Sequence, residues 1–336
     1  MNDEVAISFE NVVKRFGPTT ALADVSLEVR RGEMFGLIGP DGAGKTTSIR
    51  LACGLIRPAG GRVRMLGRDP VAEHEAVTHA TGYLSQRFSL YGDLTIDENI
   101  AFFAEIHGLR NYRARADRLL EMTQLAPFRG RLADRLSGGM KQKLALACTL
   151  VHEPEVILLD EPTTGVDPVS RREFWKLLSE FLAQGITIVM ATPYLDEAER
   201  CTRVTLLSEG RVLVTDSPGA LRDTLPGVVV EVLASPQQRA MDALRGIDGV
   251  IDVQNFGERI HARLAAAPGA GDADAWAPLR QALAAARVDV QSIRAVRTSL
   301  EDVFINRVTE AAAAPRADLE NGGSAMPGTP PGSARS

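Results

Sequence analysis

The sequence predicts an α/β domain built on a largely buried parallel sheet, followed by a small α+β unit. Over residues 1–224, short β-branched apolar runs alternate with helical patterns, the rhythm of strand–helix units folding onto one sheet. "EMFGLIG", "EVILLD" and "ITIVMA" are nearly continuous in apolar character, as burial on both faces of a central strand requires. After "DTLPG", which ends at Gly227, the pattern changes to shorter strands interleaved with two helices.

Taken in order, "EMFGLIG" is the first central strand, and residues 97–151 read as helices. "TIDE" at Thr95–Glu98 fits a capping box, with Thr95 as N-cap and Glu98 reaching back. "EVILLD" and "ITIVMA" then return the chain to the sheet. Beyond Gly227, "VVVEVL", "VIDVQNF", "RIHARLA" and "VDVQSIRAV" read as strands, and "PQQRAMDALRG" and "DAWAPLRQALAAA" as helices. That is a βαββαβ accessory unit over residues 225–310, with an Ala-rich loop near 265–275. "TSLEDVFINRVTE" is expected to close it as an amphipathic helix with Leu300, Val303, Phe304 and Val308 on one face. Residues 311–336 have almost nothing to bury and are expected to be a disordered tail.

A length of 336 residues suits two domains. The net charge of -5 leaves no basic footprint, which argues against nucleic acid or an anionic bilayer as the main partner. No apolar stretch is long enough to cross a bilayer, and the acidic start "MNDEVAISFE" lacks a signal-peptide core. A cytoplasmic chain without direct membrane insertion is therefore expected. Cys53, Cys148 and Cys201 show no metal-ligand spacing and read as reduced, packed thiols.

"GPDGAGKTT", Gly39–Thr47, matches G-x-x-x-x-G-K-[ST] between a predicted strand and a predicted helix. Gly39, Pro40, Asp41, Gly42, Ala43, Gly44, Lys45, Thr46 and Thr47 would wrap backbone N–H groups around a polyphosphate at a helix N-terminus. Lys45 would reach the β- and γ-phosphates, and the Thr46 hydroxyl would bind Mg²⁺. In "VILLDEP", Asp160 ends a buried strand where a carboxylate can hold Mg²⁺, and Glu161 follows as a candidate to polarise the attacking water. "LSGGMKQKLALA" sets Ser137, Gly138 and Gly139 at a second small-residue helix start, another anion site.

With these three elements in this order, residues 5–224 closely resemble the ATP-binding cassette family. The resemblance implies a P-loop NTPase cassette: a RecA-like core sheet, an N-terminal antiparallel β-subdomain and a helical signature subdomain over about residues 87–151. ATP and Mg²⁺ are the implied cofactors. Leu136, Ser137, Gly138, Gly139 and Met140 would serve the ATP of a neighbouring cassette, in a homodimer or a heterodimer. Phe16 stands where the family stacks a ring on adenine, an ordinary core Phe being the alternative. Gln86 matches the glutamine that approaches Mg²⁺ and the attacking water. Asp167 matches the aspartate of the loop that crosses the dimer interface, and Asp167-Pro168 is also a good helix N-cap followed by proline. Asp41 replaces a usual Asn and Met140 a frequent Gln.

"SLYGDLTIDENIAFFAEIHGL" resembles the transmission segment of the drug-resistance and export branch. Phe88, Leu90 and Tyr91 would then line a groove for a coupling helix of a transmembrane permease, a place in the helical-subdomain core being the alternative for each, with the chain held peripherally at the cytoplasmic face. In "ATPYLDEAER" the family's switch histidine is replaced by Pro193, while Thr192, Tyr194, Asp196 and Glu197 agree on either side. Proline offers no donor from side chain or backbone. ATP hydrolysis driving an exporter is the expected function, with slow turnover because both sites of a homodimer would lack the histidine. The alternatives are the degenerate half of a heterodimer and a non-transport ATP-dependent regulator.

Overall fold

The computed structural model describes residues 4–86, 90–265 and 276–313. The chain opens with a long hairpin, β1 (Val5–Phe16) and β2 (Thr19–Arg30), paired from Val5↔Arg30 to Phe16↔Thr19. Strand β3 (Met34–Ile38) then enters the central sheet, and α1 (Lys45–Ala52) follows. β4 (Gly60–Met65) returns to β1, completing a three-stranded antiparallel sheet in the order β2-β1-β4. Helix α2 (His74–Ala80) leads into β5 (Thr81–Leu84).

The segment expected to be helical contains α3 (Ile96–Ile106), α4 (Arg113–Met122) and α5 (Gly138–Leu150), with two single 3-10 turns between the last two. The Thr95–Glu98 capping box is formed in full at the start of α3. β6 (Val156–Asp160), α6 (Pro168–Ala183), β7 (Thr187–Thr192), the single turn α7 (Leu195–Ala198), β8 (Arg203–Ser208), β9 (Arg211–Asp216) and α8 (Pro218–Asp223) complete this part.

The central sheet runs β5-β6-β7-β3-β8-β9, parallel except for β9. Its inner strands bury both faces, as their apolar runs demand. Val156 and Leu158 pack with α1 and the antiparallel sheet, while Ile157 and Leu159 pack with the helices α3–α6. The register places Ile38 beside Thr192 and Asp160 beside Ala191. The carboxyl ends of β3, β6 and β7 therefore emerge side by side, where open α/β sheets bind ligands.

The last part contains β10 (Val228–Ser235), α9 (Gln237–Arg245), β11 (Val250–Phe256), β12 (Arg259–Leu264), α10 (Ala277–Ala285), β13 (Asp289–Val296) and α11 (Leu300–Ala313). Its strands form an antiparallel sheet in the order β11-β12-β10-β13, the arrangement of a βαββαβ unit. The Ala-rich loop lies mostly outside the described residues, as does the expected tail beyond Ala313.

Helix α11 differs from its sequence expectation in what it covers. Leu300 and Val303 are buried in the core of the first 224 residues, with Phe304 packed against it, and the helix lies along α7, α8 and β9. The reason is the two-faced accessory sheet. Val230, Val232, Ile260 and Ile293 on one face are already covered by α9 and α10. On the other face His261, Glu231 and Arg294 stand in one cross-strand row. α11 meets that row through polar contacts, with Asp302 and His261 Nδ1 2.8 Å apart, and turns its apolar side to the larger body.

Candidate nucleotide site

The loop between β3 and α1 is shaped by close approach. Gly44 has φ 104°, a left-handed conformation. A Cβ there would lie 2.5 Å from Leu22 Cδ2 and 2.8 Å from Ala21 O, so the loop passes too near β2 for any side chain. Lys45 is 4% exposed and donates to Gly39 O at 2.8 Å and Pro40 O at 3.0 Å. Its ammonium also faces Glu161 Oε1 at 3.7 Å and Asp41 Oδ1 at 4.0 Å. Asp41 points outward, with its side chain 95% exposed. Ala43 is buried, while Thr46 and Thr47 are half-buried at the helix start.

Thr46 Oγ1 donates to Asp160 Oδ1 at 2.9 Å, joining the helix start to the end of β6. Burial pushes the Asp160 carboxyl above its ordinary range, and the Thr46 bond offsets part of that. Glu161 follows with φ 48°, a left-handed backbone in a non-glycine residue. Its N–H donates across the sheet edge to Ala191 O at 2.8 Å. Gln86, exposed beyond β5, donates from Nε2 to Glu161 Oε2 at 3.0 Å, and Thr164 Oγ1 reaches the same oxygen at 3.4 Å. Residues from four separate segments thus converge on one sheet edge.

Phe16 is 49% exposed at the end of β1, with Lys14 Nζ 4.9 Å from its ring centroid. That exposure removes the core reading of this ring. Ser137 caps α5, its hydroxyl accepting from Met140 N at 3.3 Å; Leu136 and Gly139 are buried and Gly138 is exposed. Asp167 caps α6, accepting from Val169 N at 3.0 Å and Ser170 N at 2.9 Å. A Cβ at Gly139 would come within 2.5 Å of Ser170 Cβ. The starts of α5 and α6, and with them Ser137 and Asp167, are therefore packed together.

At the exit of β7 the backbone donors are used up. Pro193 has none to offer, and the Tyr194 N–H is bound to Thr192 Oγ1 at 3.1 Å. The Thr192 hydroxyl in turn donates to Glu197 Oε2 at 2.7 Å. Glu197 also accepts from Thr163 Oγ1 and lies 4.0 Å from Arg171 Nε. The sequence marks Glu197 only as matching the family beside Pro193, with no role, and does not single out Thr163 or Arg171. The only signal was a glutamate beginning a short helix, and its partners lie far away in sequence.

The family described as ABC transporter matches residues 22–164. The daunorubicin resistance ATP-binding protein DrrA3 of Streptomyces coeruleorubidus is 36% identical over 321 residues, covering 92% of this chain and 99% of that protein. The chain belongs to the ABC transporter family. This cassette is also 44% identical over 262 residues to the probable multidrug ABC transporter ATP-binding protein YbhF of Escherichia coli (strain K12). That match covers 75% of this chain and 45% of YbhF, so the chain spans less than half of that relative. The dimeric structure of MJ0796, a bacterial ABC transporter cassette, superposes with a TM-score of 0.55 at 27% identity, covering 63% of this chain and 98% of the other. The fold is that of a P-loop ABC cassette.

The donor set of this ABC cassette suits Mg²⁺. A hydroxyl (Thr46), a carboxylate (Asp160) and an amide (Gln86) are hard oxygen donors, and Mg²⁺ needs only one or two carboxylates beside phosphate oxygens and waters. Among the described residues no cluster of three or more His, Cys, Asp or Glu forms a self-sufficient metal cage.

Proposed function

We propose that the chain binds MgATP at the edge formed by β3, β6 and β7, dimerises around it, and hydrolyses it to drive a separate transmembrane export permease. The observation that carries this reading is the convergence of Lys45, the Thr46–Asp160 pair and the Gln86–Glu161 pair on one sheet edge. Lys45 would hold the β- and γ-phosphates, Phe16 the adenine, and Thr46, Asp160 and Gln86 the Mg²⁺. The metal would neutralise charge on the transferring phosphoryl group. Glu161 would orient the attacking water as general base.

Ser137 and Gly139 would contact the ATP of a second cassette, and Asp167 would cross the interface beside them. The dimeric cassette of the same fold and the packing of Gly139 against Ser170 support this arrangement. For the permease, the support is the names of the relatives and an apolar surface on α3. Tyr91 is 46% exposed and stacks edge-on with Phe102 at 4.5 Å, next to exposed Ile106. Buried Asn99 fixes this surface, accepting from Tyr91 N at 3.0 Å and donating to Tyr91 O at 3.0 Å. Leu90 packs inward on the core, and Phe88 lies outside the described residues. Among the described residues no helix is long and apolar enough to cross a membrane, so attachment at the cytoplasmic face would come through the permease.

Slow hydrolysis within a heterodimer is a second reading, favoured by the lack of a free backbone donor at Pro193 and Tyr194. Purification from membranes tests the main reading. Recovery with a multi-span permease and MgATP binding by the purified chain are the expected results. Recovery with soluble partners alone would overturn the transport assignment.

A further inference from the structure

We infer that Glu197 is a positioning residue, a buried carboxylate that ties the turn after Glu161 to the exit of β7 and to the start of α6. Residues aimed at a chain's own nucleotide and residues aimed at its neighbour's are thereby held as one body. The inference rests on the nucleotide-binding reading above.

Glu197 is 1% exposed, and a carboxylate at that depth needs donors around it. Two segments each supply one, and a third brings a positive charge. Thr163 Oγ1, in the turn that follows Glu161, donates to Oε1. Thr192 Oγ1, at the last residue of β7, donates to Oε2 at 2.7 Å. Arg171, on the first turns of α6, brings its guanidinium to within 4.0 Å of Oε1, and its buried Nε has no hydrogen-bond partner. Both threonines are as deeply buried as the glutamate.

The segments tied together lead to both faces of the site. Thr163 belongs to the turn that starts at the strained Glu161 backbone, whose N–H is itself anchored on Ala191. Arg171 N donates to Asp167 O at 2.9 Å, so the guanidinium that faces Glu197 is one helical turn from the interface aspartate. Ser170, between them, presses on Gly139 with no room for a Cβ. A shift of Glu197 would thus reach Glu161 through Thr163, and Asp167 and Gly139 through Arg171.

The isosteric change Glu197→Gln exchanges one acceptor for an N–H₂ and removes the charge facing Arg171. Thr192 Oγ1 already accepts from Tyr194 N–H, so turning its hydroxyl to accept the amide crowds that bond. One buried donor is left poorly satisfied, and the three segments lose their common anchor.

The test uses the full chain carrying Glu161→Gln, which removes turnover, and reads two quantities. These are binding of a fluorescent ATP analogue with Mg²⁺ by dilute monomer, and MgATP-driven dimerisation followed by light scattering. Adding Glu197→Gln is expected to leave monomer binding within about twofold while weakening dimerisation by about tenfold. Thr163→Val should do the same, and Thr163→Ser, which keeps the hydroxyl, should restore dimerisation. The threonine pair decides the matter if the Glu197 variant does not fold. Unchanged dimerisation in both Glu197→Gln and Thr163→Val overturns the inference. So does a parallel loss of binding and dimerisation in the soluble, folded variants, which marks a purely structural role. If the Glu161→Gln chain itself binds no MgATP, the nucleotide reading falls, and the inference with it.

Discussion

At the glycine-rich loop before α1 donors are gathered and kept in play, whereas on the neighbouring strand, at the exit of β7, the backbone donors are consumed. Lys45 holds its ammonium against two loop carbonyls and within ion-pair range of Asp41 and Glu161, partners that the proposed function would have it exchange for phosphate. Pro193 lacks an N–H, Tyr194 donates to Thr192, and Thr192 donates to Glu197. Neighbouring strands of one sheet, with ends in register, thus carry a binding end and a locking end. Affinity for ATP and the rate of its cleavage should therefore be separable by mutation.

Lys45→Ala should have the largest effect. Losing a buried ammonium that makes charge-assisted hydrogen bonds is expected to weaken MgATP binding by about a hundredfold or more, read by equilibrium titration. Retained affinity would break the contrast at its binding end. Pro193→His should sharpen it from the other side, raising ATP turnover by about tenfold or more with the dissociation constant nearly unchanged. An unaltered rate would mean that the β7 exit does not limit hydrolysis.

Asp160 gives a pH signature of intermediate size. Burial raises its pKa, so protons compete with Mg²⁺ for this carboxylate at a higher pH than for an exposed aspartate. Mg²⁺-dependent ATP binding should be full above that raised value. It should fall as the pH is lowered through it, by roughly tenfold per unit below it, and Asp160→Asn should flatten the profile. The smallest expected change is at Asp41. Its exposed carboxylate faces Lys45 from the solvent side, so Asp41→Asn should tighten MgATP by about threefold at low ionic strength, with the gain vanishing in high salt.

Much of this molecule is legible along the chain because its binding end is contiguous. Gly39–Thr47 lies in nine consecutive residues between a strand and a helix, and Asp160 and Glu161 are adjacent at a strand end. The continuous apolar runs of β3, β6 and β7 likewise announce a sheet buried on both faces. The Thr95 capping box is a four-residue device and forms as written. What escapes is made of distant pieces. Thr163 and Glu197 are 34 positions apart, and nothing in "LDEAER" separates a solvated helix start from a buried hub. The face of α11 is legible as apolar, but not its destination. That depended on α9 and α10 having already covered the one apolar side of the accessory sheet.

The sequence by itself determined the fold class, the glycine-rich loop of Gly39–Thr47, the carboxylates at the end of β6 and the missing N–H of Pro193, because each depends on residue type and local spacing. Tertiary structure alone decided three things. Gln86 was brought to Glu161, the Tyr194 N–H was turned inward, and Glu197 was given donors from two segments and the charge of Arg171 from a third. The physical reason is that a buried polar group must be satisfied by whatever the packing brings near it, and strand order and register set which residues those are.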